Sequence, residues 1–385
     1  MTYNFDAVTN RRGTDSLKYD FARERGRSED LLPLWVADMD FPAPPEVLAD
    51  LHRVVDHGVF GYTETKPDYF AALDAWFSSR FGFPVAPHEV VKMPGVVFAL
   101  ALAIRAFTRV GEGVILQPPV YYPFFEVIRD NGRRLDENPL LYENGKYSID
   151  FEGFERLAAQ KDTKLFLLCS PHNPVGRVWT REELLRLHAI CHKHGVLVVS
   201  DEIHCDFAWP GAVHTVFGTL DPDAVVCTAP SKTFNLPGLQ TANTVIKNPE
   251  LRKAFARQLD SAGYSQMNAM SVASCKSAYQ NGAPWLAALL EYLVGNLAFA
   301  RDYIAAHLPG VRMVEPEGTF LLWLDFSAYA LPQAELDRHV TQDAGLWLDS
   351  GALFGKEGEG FERLNFACPR STLEEAFRRL CRNRR

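Results

Sequence analysis

The chain has 385 residues, 47% of them hydrophobic and 23% charged, with a formal net charge of −8. That length carries a large core and two domains, and the acidic balance argues against nucleic-acid binding, which needs a basic face to neutralise phosphate. The one basic cluster, Arg378, Arg379, Arg382, Arg384 and Arg385, reads as the solvated end of a C-terminal helix. The short apolar runs, such as Val196–Ser200, fall far below the roughly 20 residues of a spanning helix. The first residues lack the apolar core of a signal peptide. Seven cysteines without CxxC spacing suit reduced thiols, so a cytoplasmic protein with no membrane partner is expected.

In chain order, residues 1–45 are rich in proline, aspartate and aromatics and read as an irregular arm. Pro67–Phe81 carries apolar residues at helical spacing and stops near Gly82. From about Val90 to Val245, short apolar runs alternate with helical stretches. Gly113–Leu116, Lys164–Cys169, Val196–Ser200 and Ala224–Cys227 read as buried strands. Runs apolar on both faces predict an α/β fold, a mostly parallel sheet covered by helices. Glu182–His194 reads as one covering helix. Cys191, His192 and His194 lie near its end, and their helical setting outweighs a metal site, so no metal is expected. Trp285–His307 reads as one long helix, stopped by Leu308-Pro309-Gly310. A strand-like run at Thr319–Asp325, a helix near Gln333–Gln342 and a strand near Arg363–Cys368 follow. The expected division is an arm at 1–45, a large domain at 46–284 and a small α+β domain at 285–385, with the long helix as the spine between domains.

Four segments carry groups that suit one cofactor. Lys232, in Pro230-Ser231-Lys232-Thr233-Phe234-Asn235, lies just beyond an apolar run. A lysine there can form a Schiff base if burial lowers its pKa; most lysines are simply solvated. Asp201 closes the run Val198-Val199-Ser200-Asp201, where open α/β sheets bind ligands. It can hold a ring nitrogen protonated, or only cap the next turn. Asn173, between Pro171 and Pro174, offers a donor and an acceptor on a rigid turn. Gly95 precedes Val96 and Val97 at a helix start, whose free amides suit a phosphate. No GxGxxG is present there, so a dinucleotide fingerprint is absent.

Taken in order, these segments resemble the fold-type I pyridoxal-5′-phosphate (PLP) enzymes of the aminotransferase class I/II group, and within it the MalY/PatB-type cystathionine β-lyases. The resemblance spans nearly the whole chain. It rests on Arg11-Arg12-Gly13-Thr14, Leu34 to Phe41, Phe60-Gly61-Tyr62-Thr63 and Pro119-Val120-Tyr121-Tyr122-Pro123-Phe124. It continues through Pro171-His172-Asn173-Pro174-Val175-Gly176-Arg177, Ser200-Asp201-Glu202-Ile203-His204, Pro230 to Asn235 and Arg363-Leu364-Asn365-Phe366. The resemblance implies a seven-stranded sheet in the large domain and a homodimer. It implies that Lys232 carries PLP and acts as the mobile base, Asp201 pairs with the ring nitrogen and Asn173 holds the ring hydroxyl. Tyr121 would stack on the ring, and Val96 and Val97 would meet the phosphate, with Tyr62 arriving from the partner subunit. Arg363 would clamp the substrate carboxylate, beside the backbone of Val36 and Ala37, and Tyr121 or Tyr122 would protonate the leaving sulfur. Two departures matter: His204 stands where the wider pattern has tyrosine, which leaves open whether it touches the cofactor, and Gln240 stands where that pattern has arginine. The phosphate would then lean on the Ser231 or Thr228 hydroxyl. The implied reaction is α,β-elimination from an amino acid such as cystathionine, with an aminotransferase as the rival reading. Some members of the family also bind a transcriptional activator, and no surface in this sequence marks that role.

Overall fold

The computed structural model describes residues 3–382; Arg384 and Arg385 of the basic tail lie outside it. Seven strands form the large sheet: β1 (Val90–Met93), β2 (Gly113–Leu116), β3 (Arg134–Glu137), β4 (Thr163–Cys169), β5 (Leu197–Asp201), β6 (Val225–Thr228) and β7 (Ala242–Ile246). Their spatial order is β1-β7-β6-β5-β4-β2-β3. Strands β2 to β6 pair in parallel, and β7 runs antiparallel to both its neighbours. The four expected strands are all present. The sequence reading missed β1, β3 and β7. Strand β3 (Arg-Leu-Asp-Glu) lies at the sheet edge and keeps exposed positions, so it shows no apolar run. Strand β7 is buried throughout despite Asn243 and Thr244. Its polar groups are satisfied inside the fold: the Tyr69 hydroxyl donates to Asn243 Oδ1 at 2.8 Å, as buried polar groups require.

The helix Pro67–Phe81 has the expected bounds and ends on Gly82 in the left-handed region (φ 61°). The long helix spans Ala283–His307. Its length and composition would let it cross a membrane, a feature that the reading of short apolar runs passed over. In the fold it is a core helix. Trp285, Leu286, Leu289, Leu293, Leu297, Ala300 and Ile304 form a buried stripe at helical spacing and join the largest apolar cluster. Asn296 lies in the same stripe, where its amide donates to the carbonyls of Phe366 and Cys368 and its oxygen accepts from Arg370.

A second, antiparallel sheet is built from Arg312–Val314, Leu321–Asp325, Phe361–Asn365 and Asp349–Ser350. The α-helix expected to reach Gln342 stops at Arg338 and continues as a π-helical turn over His339–Asp343. Among the described residues the N-terminal arm has several turns, one short 3-10 helix, Arg23–Arg25, and a two-residue strand, Leu32–Pro33, paired in parallel with Leu346–Trp347. A helix begins at Pro45.

Beyond that strand, three side chains hold the arm by its main chain. Asn235 accepts from the Met39 amide at 2.9 Å and donates to the carbonyls of Met39 (2.9 Å) and Phe41 (2.8 Å). Asn365 donates to the carbonyls of Val36 (2.7 Å) and Asp38 (2.6 Å). Arg363 donates to the carbonyl of Trp35 at 2.9 Å. Asn235 itself adopts a left-handed backbone (φ 55°), which asparagine tolerates better than most residues. Replacing Asn235 with Ala removes all three of its bonds to the arm. At about 1 kcal/mol each, the expected loss is about 3 kcal/mol. Urea denaturation checks this, and an unchanged midpoint would contradict it.

Candidate active site

Strands β4, β5 and β6 are parallel neighbours, so the segments leaving their carboxyl ends meet along one edge of the sheet. Asn173 follows β4, Asp201 closes β5, and Lys232 follows β6 in a short helix, Pro230–Thr233. A cavity of about 200 Å³ lies there, lined by these three residues with Tyr121, His204 and Ser231. Ala37 of the arm lines it too, as do Gly95, Val96 and Val97 at the start of the helix Val96–Phe107. A wider cleft of about 780 Å³ lies elsewhere, but no lysine, aspartate, histidine or tyrosine lines it. Chemistry, not volume, selects the smaller cavity.

The Lys232 Nζ donates to the Ala37 carbonyl at 2.6 Å. Burial pushes its pKa down to about 8; Asp38 and Asp201 pull it up and Arg363 pulls it down. Burial pushes Asp201 up to about 7, against the Ile203 amide that donates to its Oδ1 at 3.0 Å and against Lys232. The two groups thus have pKa values driven together from opposite ends of the scale. His204 is held well below its usual range by burial, then by Lys232 and Arg363, so its ring is neutral. Its Nδ1 has no partner, and the ring lies 5.4 Å from that of Phe320, edge to face.

Asn173 Oδ1 accepts from Arg363 Nη1 at 3.0 Å, and its amide nitrogen donates to no described residue. Arg363 is buried and largely committed. Its Nη2 serves the Trp35 carbonyl and the Asp349 carboxylate, while its Nε has no partner. The guanidinium is therefore not the free fork the sequence suggested. At the helix start, the first helical hydrogen bond runs from Ala99 to Gly95 at 3.1 Å. The amides of Val96, Val97 and Phe98 precede it and make no such bond.

Tyr121 lines the cavity, and Tyr122 stands behind it with ring centroids 5.1 Å apart. Burial raises both hydroxyl pKa values, which keeps them protonated at neutral pH. Five expected residues are not among those lining the cavity: Arg363 (which meets it only through Asn173), Tyr122, Val36, Thr228 and Tyr62, the last expected at a partner subunit's cavity rather than its own. Val36 does not line the cavity, and Asn365 takes its carbonyl. Tyr62 is 98% exposed, near exposed Val59 and Phe60, and does not line the cavity. The Thr228 hydroxyl donates to the Asn243 carbonyl at 2.9 Å, inside the sheet, so it is not available to a phosphate. The residue the sequence reading missed is Thr241. Its buried hydroxyl has no partner and lines the cavity. It stands next to Gln240, the position already marked by the missing arginine, and that adjacency was the available signal. Among the described residues no group of three or more His, Cys, Asp and Glu could hold a metal.

Comparison with known proteins agrees with this geometry. The family model for aminotransferase class I and II matches residues 29–380. The chain is 43% identical over 381 residues to cystathionine beta-lyase PatB of Bacillus subtilis, covering 98% of each. It is 35% identical to protein MalY of Escherichia coli, covering 97% of this chain and 96% of that one. Among solved structures, cystalysin from Treponema denticola, which contains pyridoxal 5′-phosphate, superposes with a TM-score of 0.95 at 36% identity. That match covers 99% of this chain and 98% of cystalysin.

The depressed Lys232 pKa has a direct consequence. A lysine is nucleophilic only when neutral, and this one is neutral above about pH 8. The rate at which the apoprotein forms a borohydride-trappable adduct with an aromatic aldehyde should rise with pH to about 8 and then level off. Mass spectrometry should place the adduct on Lys232. A rate still climbing towards pH 10, as for an ordinary solvated lysine, would contradict the effect of burial.

Proposed function

The chain belongs to the aminotransferase class I and II family, and on that premise we propose that it is a PLP-dependent carbon–sulfur β-lyase acting on L-cystathionine or related cysteine S-conjugates. The observation that carries the proposal is the gathering of Lys232, Asp201 and Asn173 around one cavity at the carboxyl ends of three adjacent strands. The name of the Bacillus subtilis relative supports the reaction, and the cofactor of cystalysin supports the cofactor.

The groups left without partners suit PLP. The phosphate would take the amides of Val96 and Val97 and the hydroxyls of Ser231 and Thr241, in place of a basic side chain. Asp201 would meet the ring nitrogen. A buried carboxylate with a pKa near 7 gains from a cation beside it, and the cation keeps its proton in return. The free amide of Asn173 would donate to the ring oxygen, and the Tyr121 ring would offer a stacking face. His204 would contribute a neutral ring and no further charge.

When bound, PLP supplies an aldehyde that captures the substrate amine and a ring that withdraws electrons from Cα. Lys232, neutral above about pH 8, takes the Cα proton. Arg363, which stands against Asn173 with a buried, unpartnered Nε, would hold the substrate carboxylate near the main chain at Ala37. Tyr121 or Tyr122, both protonated, gives a proton to the departing sulfur. Overall, a cysteine S-conjugate and one water become a thiol, pyruvate and ammonium. A homodimer completes the proposal, with Tyr62 reaching the phosphate of a second copy. Its exposure beside Val59 and Phe60 supports an apolar contact there. Seven cysteines, none of them in a disulfide among the described residues, suit a reducing cytoplasm.

With L-cystathionine the holoenzyme should release pyruvate, ammonia and homocysteine in equal amounts without any keto-acid acceptor. Lys232→Ala and Asp201→Ala should each slow this by about 100-fold or more. Amine transfer that requires a keto acid and yields no pyruvate would make the protein an aminotransferase and overturn the lyase reading.

A further inference from the structure

Beside the Arg363 end of the site stands a cation that the reaction above leaves unused. Arg25 closes the turn Arg23–Arg25, which ends on Gly26 in the left-handed region (φ 66°). The turn is anchored rather than loose. The Arg27 amide donates to the Ala22 carbonyl at 2.8 Å. Buried Ala22 packs with Leu31, Trp35 and Trp347. The Arg25 guanidinium lies 5.1 Å from the centroid of the Trp35 ring, and that ring stacks on Trp347 at 4.5 Å. The Arg25 side chain is exposed and has no hydrogen bond or ion pair to any described residue. A cation–π contact fixes its position without neutralising its charge.

Trp35 therefore joins two guanidinium groups: Arg25 lies over its ring, and Arg363 donates to its carbonyl at 2.9 Å. The two differ in what balances them. Arg363 is paired with buried Asp349, while Arg25 has no counterion. Arg25 is also close enough to lower the titration of both Tyr122 and Asp349. An amino-acid substrate held at Arg363, with its sulfur near the tyrosines, would extend its leaving group past these residues.

We propose that Arg25 binds a carboxylate on the far side of the scissile sulfur, so that the enzyme prefers cysteine S-conjugates whose leaving thiol is anionic. This rests on the β-lyase reading and adds the substrate class to it. An exposed guanidinium suits the role because its planar fork forms paired hydrogen bonds with a carboxylate.

The test compares S-(2-carboxyethyl)-L-cysteine with its neutral carboxamide, S-(2-carbamoylethyl)-L-cysteine, on the holoenzyme. The wild type should favour the acid by about tenfold in kcat/KM, the scale of one charge-assisted hydrogen bond. Arg25→Gln should erase that preference by slowing the acid and leaving the amide within about twofold. Equal loss on both compounds would place Arg25 on the shared amino-acid head, and no loss on either would make it a solvated surface residue; each result overturns the proposal. The same acid-to-amide ratio is read from calorimetric binding to the holoenzyme. If neither compound yielded pyruvate, the lyase reading would fail, and the binding ratio would still decide the role of Arg25.

Discussion

The main chain of residues 35–41 is an irregular, bent strap that does not satisfy its own hydrogen bonds. Asn235, Asn365 and Arg363 satisfy them from outside. These partners come from two parts of the sequence far from each other and from the strap. Asn235 stands three residues after Lys232, while Arg363 and Asn365 sit on a strand of the second sheet. The strap thus ties the lysine loop to the second sheet, and its Ala37 carbonyl accepts from Lys232 itself. Buried charge adds to the hold: fully buried Lys18 donates to Asp40 at 2.9 Å, and Arg11 pairs with Asp38 and Asp40. Loosening the strap would move Ala37, and with it the one hydrogen bond that orients the amine.

The chemistry of the cavity follows from enclosing groups that prefer water. Desolvation is the largest force driving the lysine down and the aspartate up, towards neutral pH. The end of the cavity proposed for the phosphate places no cation in the interior, since it is made of helix amides and hydroxyls. Supporting contacts hold the lysine loop from its other side. The Thr233 hydroxyl donates to buried Asp206 at 2.7 Å, and Asp206 in turn accepts from Arg80 at 2.8 Å. With Thr233 and Asn235 both anchored, the backbone carrying Lys232 has little freedom.

Much of this was legible in the sequence, for a physical reason. Parallel strands buried on both faces are continuous apolar runs, and ligands gather at their carboxyl ends, so Asn173, Asp201 and Lys232 could be found by where those runs stop. Other features depend on register, which one sequence does not display. Thr228 lies opposite Asn243 in the antiparallel pairing, which accounts for its hydroxyl turning into the sheet while Thr241 reaches the cavity. Asp349 stands opposite Arg363 across two strands, and that pairing commits a guanidinium that looked free. Strand β7 was hidden because its buried asparagine and threonine find partners only after folding. Tyr62 is exposed and away from the cavity of its own chain, in keeping with a role that the family resemblance, not the local pattern, assigned to a partner's cavity.

The measurement that bears most directly on the whole reading is a titration of apoprotein with PLP, followed by visible absorbance, in the wild type and in Lys232→Ala. The wild type should take up one PLP per chain and develop a visible band that L-cystathionine perturbs. The variant should develop no such band. A band of equal size and position in both proteins, or none in either, would contradict the assignment of Lys232 and of the cavity built around it.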